Sequence, residues 1–308
     1  MALKEPPTRL QHVVSSEQFD RGTLAALFER AELLASVRDS RLERRIMASL
    51  FYEPSTRTRL SFESAMLRLG GSILGTEAAH TFSSAIKGET LEDTVRMVST
   101  YADVIVLRHD QLGAAARAAA VATVPVINAG DGPGEHPTQA LLDLFTIRRE
   151  VGRIDGVHVA FCGDLRFGRT ARSLALLLSQ YKDVRFTFVA PDVVQVGPDI
   201  IERLDRRRVP YTLTDNLLDT AGSVDVVYQT RVQRERFTDA AEFEEARAAF
   251  RIDSEFMRAL GRGAVVMHPL PRVDEIAPEV DADPRAAYFR QAANGVALRM
   301  ALLDWLLT

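Results

Sequence analysis

The sequence predicts an α/β protein built as two doubly wound parallel-sheet domains joined by interdomain helices. Three observations lead there: the length, the composition, and the alternation of short apolar runs with helix-length amphipathic stretches. The chain has 308 residues, and at about 150 residues per domain that suggests two domains. It is 46% hydrophobic, 26% charged and 7% aromatic, an ordinary globular composition that excludes disorder and fibrous repeats. A formal net charge of −4 argues against a nucleic-acid or anionic-membrane partner, since either needs a strong positive field.

Taken in chain order, the runs Ile46–Phe51, Val104–Leu107, Val124–Asn128, Val157–Cys162, Arg185–Val189, Val224–Tyr228 and Ala264–Met267 read as strands. Their alternation with helical patterns along the chain implies parallel α/β sheets. Between them, Leu60–Leu69, Leu91–Ala102, Leu141–Val151 and Thr170–Tyr181 repeat apolar residues three and four apart and read as helices. The Gly-rich turn Ala129–Glu135, with a helix starting near Pro137, is the candidate crossing between two βα series. The first domain is therefore read as residues 1–135, completed by a C-terminal helix at 292–308, and the second as 136–291. The last helical pattern, Arg285–Leu307, sets Leu298, Ala301, Leu302, Trp305 and Leu306 on one face, so Trp305 is read as packing. The basic run Arg206–Arg208 reads as a solvated helix C-terminus.

The single cysteine, Cys162, reads as a buried inert thiol, and no paired Cys or His spacing suggests a metal. The N-terminal stretch lacks an apolar core of signal-peptide length, and the most hydrophobic region, Leu112–Ile127, is broken by Arg117 and Pro125. The expectation is a cytoplasmic protein without a membrane partner.

The most informative segment is Phe51-Tyr52-Glu53-Pro54-Ser55-Thr56-Arg57-Thr58-Arg59. Strand residues run into a hydroxyl-rich turn, and a helical pattern follows, so Ser55–Thr58 occupy a helix N-terminus. Free N–H groups, the positive end of the helix dipole, three hydroxyls and a guanidinium converge there, a set suited to a phosphate dianion. Simple capping by Ser55 explains one hydroxyl only. The GxxxxGK[ST] spacing of a nucleotide P-loop is absent. Arg108 follows the apolar run Val104–Leu107, and Arg169 and Arg231 follow the runs ending at Cys162 and Tyr228. Strand C-termini are where open α/β sheets bind ligands.

Ser55-Thr56-Arg57-Thr58-Arg59 resembles the carbamoyl-phosphate signature of the aspartate and ornithine carbamoyltransferases. His136-Pro137-Thr138-Gln139 resembles the second family motif, and Thr230-Arg231-Val232-Gln233 with His268-Pro269-Leu270-Pro271-Arg272 resembles the aspartate branch. The resemblance implies transfer of the carbamoyl group of carbamoyl phosphate to L-aspartate, within de novo pyrimidine biosynthesis and without a cofactor or metal. It assigns Ser55, Thr56, Arg57, Thr58 and Arg108 to the phosphate, His136 with Thr58 and Arg108 to the carbonyl oxygen, and Gln139, Pro269 and Leu270 to the carbamoyl group. Lys87, Arg169, Arg231 and Gln233 fall to aspartate. Ser83 and Lys87 are implied to reach a neighbouring subunit's site, giving a homotrimer with shared active sites. Glu53, Arg236 and the segment Arg231–Phe250 match parts that lock a closed state, so closure on aspartate is expected.

His136 precedes Pro137 and so is expected at a helix N-terminus, where a positive imidazole is disfavoured. The leaving phosphate is read as the acceptor of the amine proton. An ornithine site would need an anion where these motifs place cations, and an inert homologue would have lost cradle residues that are present here. The departures are Ile86 and Phe167, where some relatives have lysine and tyrosine. Whether the trimer works alone, binds a zinc-containing regulatory chain or joins a dihydroorotase stays open.

Overall fold

The structure, a computed structural model, describes residues 10–36, 39–77, 88–232, 239, 243–244 and 250–308. The chain divides into two compact units, one reaching to Leu142 and completed by Ala293–Thr308, the other Asp143–Ala292.

In the first unit, helix α1 (Arg21–Leu34) is capped by Asp20, whose carboxylate accepts from Thr23 N–H. The chain then runs through β1 (Ile46–Phe51), α2 (Thr56–Arg68), β2 (Ser72–Glu77), α3 (Leu91–Val98), β3 (Val104–His109), α4 (Ala114–Val121) and β4 (Val126–Asp131). The four strands form a sheet in the order β2-β1-β3-β4, parallel throughout, with Met47 opposite both Ile73 and Val104. β3 and β4 are buried along their whole length, and each opens on apolar residues, Val104–Leu107 and Val126-Ile127, as expected of a sheet covered on both faces. From β1 the chain steps to β2 on one side, then returns to β3 on the other. The crevice beyond the C-terminal ends of β1 and β3 is therefore a topological switch point, where open α/β sheets take ligands.

Helix α5 (Pro137–Val151) contains the first division between the units. The second unit then has β5 (His158–Cys162), α6 (Arg169–Leu178), β6 (Arg185–Val189), α7 (Pro198–Arg207), β7 (Tyr211–Thr214), β8 (Val226–Gln229), α8 (Ser254–Ala259) and β9 (Val265–Met267). Its sheet is ordered β7-β6-β5-β8-β9 and is again parallel, with its switch point between β5 and β8. Helix α9 (Tyr288–Leu307) contains the second division. Both units are thus of the expected class, parallel-sheet α/β.

Seven of the nine strands among the described residues were expected. β2 and β7 were not, because neither carries a buried apolar run and each exposes a leucine, Leu74 or Leu213. Trp305 is buried under the Arg30 guanidinium, 5.6 Å from the ring centroid. The apolar face of α9 is wider than expected: Leu303 is fully buried and Leu306 only partly. Cys162 is buried in the second core, and burial pushes its thiol well above the ordinary range. Arg206, Arg207 and Arg208 are exposed at the end of α7. Arg207 donates to Leu176 O at 2.9 Å, as expected of a cation near a helix C-terminus.

Candidate active site

In the first unit, Ser55 is the N-cap of α2 with φ −159° and ψ 86°, and its side chain makes no capping hydrogen bond. Its carbonyl accepts from Arg59 N–H at 3.1 Å, so the helix starts normally while, among the described residues, its first amides have no side-chain cap. Thr56 and Arg57 are exposed in that turn. Partial shielding holds the Arg57 guanidinium below its usual value, and it forms no ion pair among the described residues. Arg59 instead donates to Glu63 Oε1 at 2.8 Å, one turn on. The result is a helix N-terminus at a switch point where, among the described residues, the Ser55 and Thr56 hydroxyls and the Arg57 guanidinium are uncommitted, which favours an anion.

Thr58 is buried, its hydroxyl 3.5 Å from His136 Nε2, and the Thr138 hydroxyl lies 3.5 Å from Nδ1 of the same ring. These long contacts centre the imidazole between two hydroxyls. His136 heads α5 as expected: its carbonyl accepts from Gln139 and Ala140 N–H at 3.0 and 3.2 Å. The preceding turn is tied down by Glu135, which accepts from Ser15 Oγ and Ser16 Oγ at 2.6 Å each. Gly132, at φ +58°, is required there, since a Cβ would stand 2.0 Å from Asp110 O. Gln139 is buried on the first turn of α5.

Arg108 departs from expectation by a small shift. It lies inside β3 rather than after it, because β3 pairing continues to His109 opposite Asp131. Its guanidinium bridges Glu53 Oε2 at 2.9 Å and Ala129 O at 3.1 Å. Glu53 is therefore half of an ion pair with Arg108.

The second unit builds its own cluster at the β5/β8 switch point. After β5, Gly163 (φ +105°) lets the backbone touch the segment after β8; a Cβ would sit 2.3 Å from Thr230 O. Thr230 returns two hydrogen bonds to Cys162 O, from N–H and Oγ1, both 2.8 Å. Arg169 opens α6, and Arg231 follows Thr230 and is exposed. The Asp164 carboxylate, buried, accepts from Phe167 N–H at 3.0 Å and closes the turn before Arg169. Phe167 is exposed beneath Arg166. Leu270 holds φ +56°, unusual for leucine, before a cis bond to Pro271. Its N–H donates to His268 Nδ1 at 2.7 Å.

The first unit thus gathers Ser55, Thr56, Arg57, Thr58, Arg108, His136 and Gln139, and the second gathers Arg169, Arg231, Pro269 and Leu270. Ser83, Lys87, Gln233 and Arg236 lie outside the described residues. Sequence reasoning missed Asp143, Tyr228, Glu275 and Gln291, all buried beneath the second cluster; only a polar residue inside an apolar run, as at Asp143, signalled any of them. A cavity of roughly 660 Å³ near Lys182, Arg185 and Arg207 touches none of the site residues. Among the described residues no group of three or more His, Cys, Asp or Glu could hold a metal, and no helix is long and apolar enough to cross a membrane.

Two parallel α/β units, one with an anion-receptive helix N-terminus and the other with paired guanidinium-bearing turns, define an enzyme class acting on small anionic substrates. Residues 11–149 match the aspartate/ornithine carbamoyltransferase carbamoyl-P binding domain, and residues 155–306 match the Asp/Orn binding domain of the same family. The chain belongs to the aspartate/ornithine carbamoyltransferase family. It is 55% identical over 305 residues to aspartate carbamoyltransferase 1, chloroplastic, of Pisum sativum, covering 97% of this chain and 79% of that one. An aspartate carbamoyltransferase catalytic subunit of Methanocella arvoryzae is 49% identical over 298 residues, covering 96% of each. Aspartate transcarbamoylase from Trypanosoma cruzi, solved with carbamoyl phosphate and aspartate, superposes with a TM-score of 0.92 at 42% identity over 100% of both chains.

Proposed function

We propose that this chain is an aspartate carbamoyltransferase: the amine of L-aspartate attacks the carbonyl carbon of carbamoyl phosphate, giving N-carbamoyl-L-aspartate and phosphate, a step of de novo pyrimidine biosynthesis. The observation that bears most weight is the uncapped α2 N-terminus with Arg57 at the β1/β3 switch point. Ser55, Thr56, Arg57 and Thr58 receive the phosphate, with Arg108 as second cation held by Glu53. His136, Thr58 and Arg108 donate toward the carbonyl oxygen, where negative charge grows in the tetrahedral intermediate. Gln139 and the Pro269-Leu270 turn take the carbamoyl amide. That turn suits a donor, because Pro269 and Pro271 have no N–H and the Leu270 N–H is already given to His268. The leaving phosphate accepts the amine proton.

Arg169, Arg231, Gln233 and Lys87 hold the aspartate carboxylates, for which planar guanidinium forks are the fitting donors. This favours aspartate over ornithine, whose side chain needs an anion. The carbamoyl-phosphate domain is taken as 1–135 with 292–308, and the aspartate domain as 136–291. The chain acts in the cytoplasm as a homotrimer in which Ser83 and Lys87 complete a neighbour's site; a regulatory chain or dihydroorotase is the further partner class. Mixing Lys87→Ala and His136→Ala proteins with subunit exchange should restore activity, and no recovery would contradict site sharing. The function itself is tested by colorimetric detection of ureido product: formation with aspartate and not with ornithine is expected, and the reverse would refute it.

A further inference from the structure

Beneath the second cluster lies a buried chain of hydrogen bonds. Asp143, fully buried, accepts from the Tyr228 hydroxyl on Oδ2 and from Gln291 Nε2 on Oδ1, both at 2.6 Å. Gln291 Oε1 accepts from His268 N–H at 2.9 Å. His268 Nδ1 accepts from Leu270 N–H at 2.7 Å, which requires the ring proton on Nε2, and Nε2 faces Glu275 Oε1 at 2.7 Å. Glu275 Oε2 accepts from Val273 and Asp274 N–H at 3.0 and 3.1 Å. On the other side, the Tyr228 hydroxyl also hydrogen-bonds the Thr170 side chain.

We propose that Asp143 is a positioning residue for carbamoyl transfer, the buried anion that joins the Leu270 turn, Thr170 beside Arg169, and strand β8 leading to Arg231 into one frame. The inference rests on the function proposed above. Three segments of the second cluster converge on this one carboxylate, and the side chains that link them, Asp143, Tyr228, Gln291 and His268, are all buried. A buried carboxylate is poor economy for stability alone, since an apolar residue of similar size serves as well. Held here, it sets the orientation of a leucine at φ +56°, a conformation that persists only where surroundings enforce it. Burial and the Asp143 charge keep the Tyr228 phenol protonated, so it remains a donor. Asp143 touches no reacting atom in this scheme; it acts through the groups that do.

The test uses steady-state kinetics with carbamoyl phosphate and aspartate on the full chain, with thermal melting alongside. Misplacing site groups by a fraction of an ångström costs on the order of tenfold to a hundredfold in rate. Asp143→Asn leaves two donors facing one amide, and a loss of that size in kcat/KM for aspartate is expected. Tyr228→Phe, a milder change, should raise the aspartate KM several-fold while the carbamoyl phosphate KM stays near wild type. Asp143→Asn combined with Gln291→Glu exchanges amide and carboxylate, so every hydrogen bond again has a donor and an acceptor; aspartate kinetics should recover. A purely structural role would lower the melting temperature and leave the aspartate KM untouched, overturning the proposal. So would a folded Tyr228→Phe with wild-type constants, or a double variant no better than Asp143→Asn. Should Asp143→Asn fail to fold, the other two variants decide the matter. A wild type that forms no ureido-aspartate would overturn the function as well, whereas an active wild type with unaltered variants would overturn this proposal alone.

Discussion

Replacing Ser55 with alanine separates a helix cap from a ligand contact. Serine at an N-cap ordinarily contributes about 1 kcal/mol, yet Ser55 makes no capping bond. Ser55→Ala should therefore change the unfolding free energy by less than about 0.5 kcal/mol. Two controls belong to the same unit. Asp20 accepts from Thr23 N–H at 2.7 Å and Thr90 from Asp93 N–H at 3.1 Å. Their alanine variants should each lose about 1 kcal/mol, or roughly 2–4 °C in Tm. Binding should show the opposite ranking. A hydrogen bond to a charged group contributes about 1.5–3 kcal/mol, so Ser55→Ala should weaken carbamoyl phosphate roughly tenfold to 150-fold. Neither control should alter affinity. Calorimetric titration with carbamoyl phosphate and a melting curve on each protein give both quantities. A Ser55→Ala protein that melts like Asp20→Ala while binding with wild-type affinity would make Ser55 an ordinary cap and refute the reasoning.

Gly163→Ala places a Cβ 2.3 Å from Thr230 O at φ +105°, so a loss of about 1–3 kcal/mol in denaturant unfolding is expected, with a raised aspartate KM as Arg231 shifts; wild-type stability would contradict the contact. Arg231→Ala should raise the aspartate KM far more than the carbamoyl phosphate KM, and equal effects in initial-rate assays would contradict its assignment. Glu275 is buried, which pushes its carboxyl up, but hydrogen bonds from His268 and the Val273 N–H outweigh this and hold it below its ordinary 4.5. A depressed carboxyl stabilises the fold above the unfolded value and loses that contribution as pH falls through the folded one. Glu275→Gln should therefore lower stability at neutral pH and flatten its decline below pH 4.5, as urea unfolding at several pH values would reveal; an unchanged acid limb would contradict a carboxylate held ionised by these hydrogen bonds.

Much of the fold was legible because buried parallel strands leave a plain signature. Ile46–Phe51 and Arg185–Val189 were read with the bounds they have. Solvent-exposed strands leave a weaker one: Ser72–Glu77 contains Gly75 and an exposed Leu74, so nothing in its pattern marks a strand. Arg108 was read one step beyond its strand because a charged residue ends an apolar run, although backbone pairing continues through it. The α2 N-terminus was visible as residue types, but whether Ser55 caps or waits for a ligand is decided by its backbone angles. Asp143 was hidden for another reason. Its partners Tyr228 and Gln291 lie 85 and 148 residues away in sequence, and such a network exists only once the chain has folded.

The most direct measurement is a crystal structure of the chain soaked with carbamoyl phosphate. Phosphate oxygens within hydrogen-bonding distance of the Thr56–Thr58 amides, the Ser55 hydroxyl and the Arg57 guanidinium are the expected result. Ligand density elsewhere, over a vacant Ser55–Thr58 turn, would contradict the account at its root.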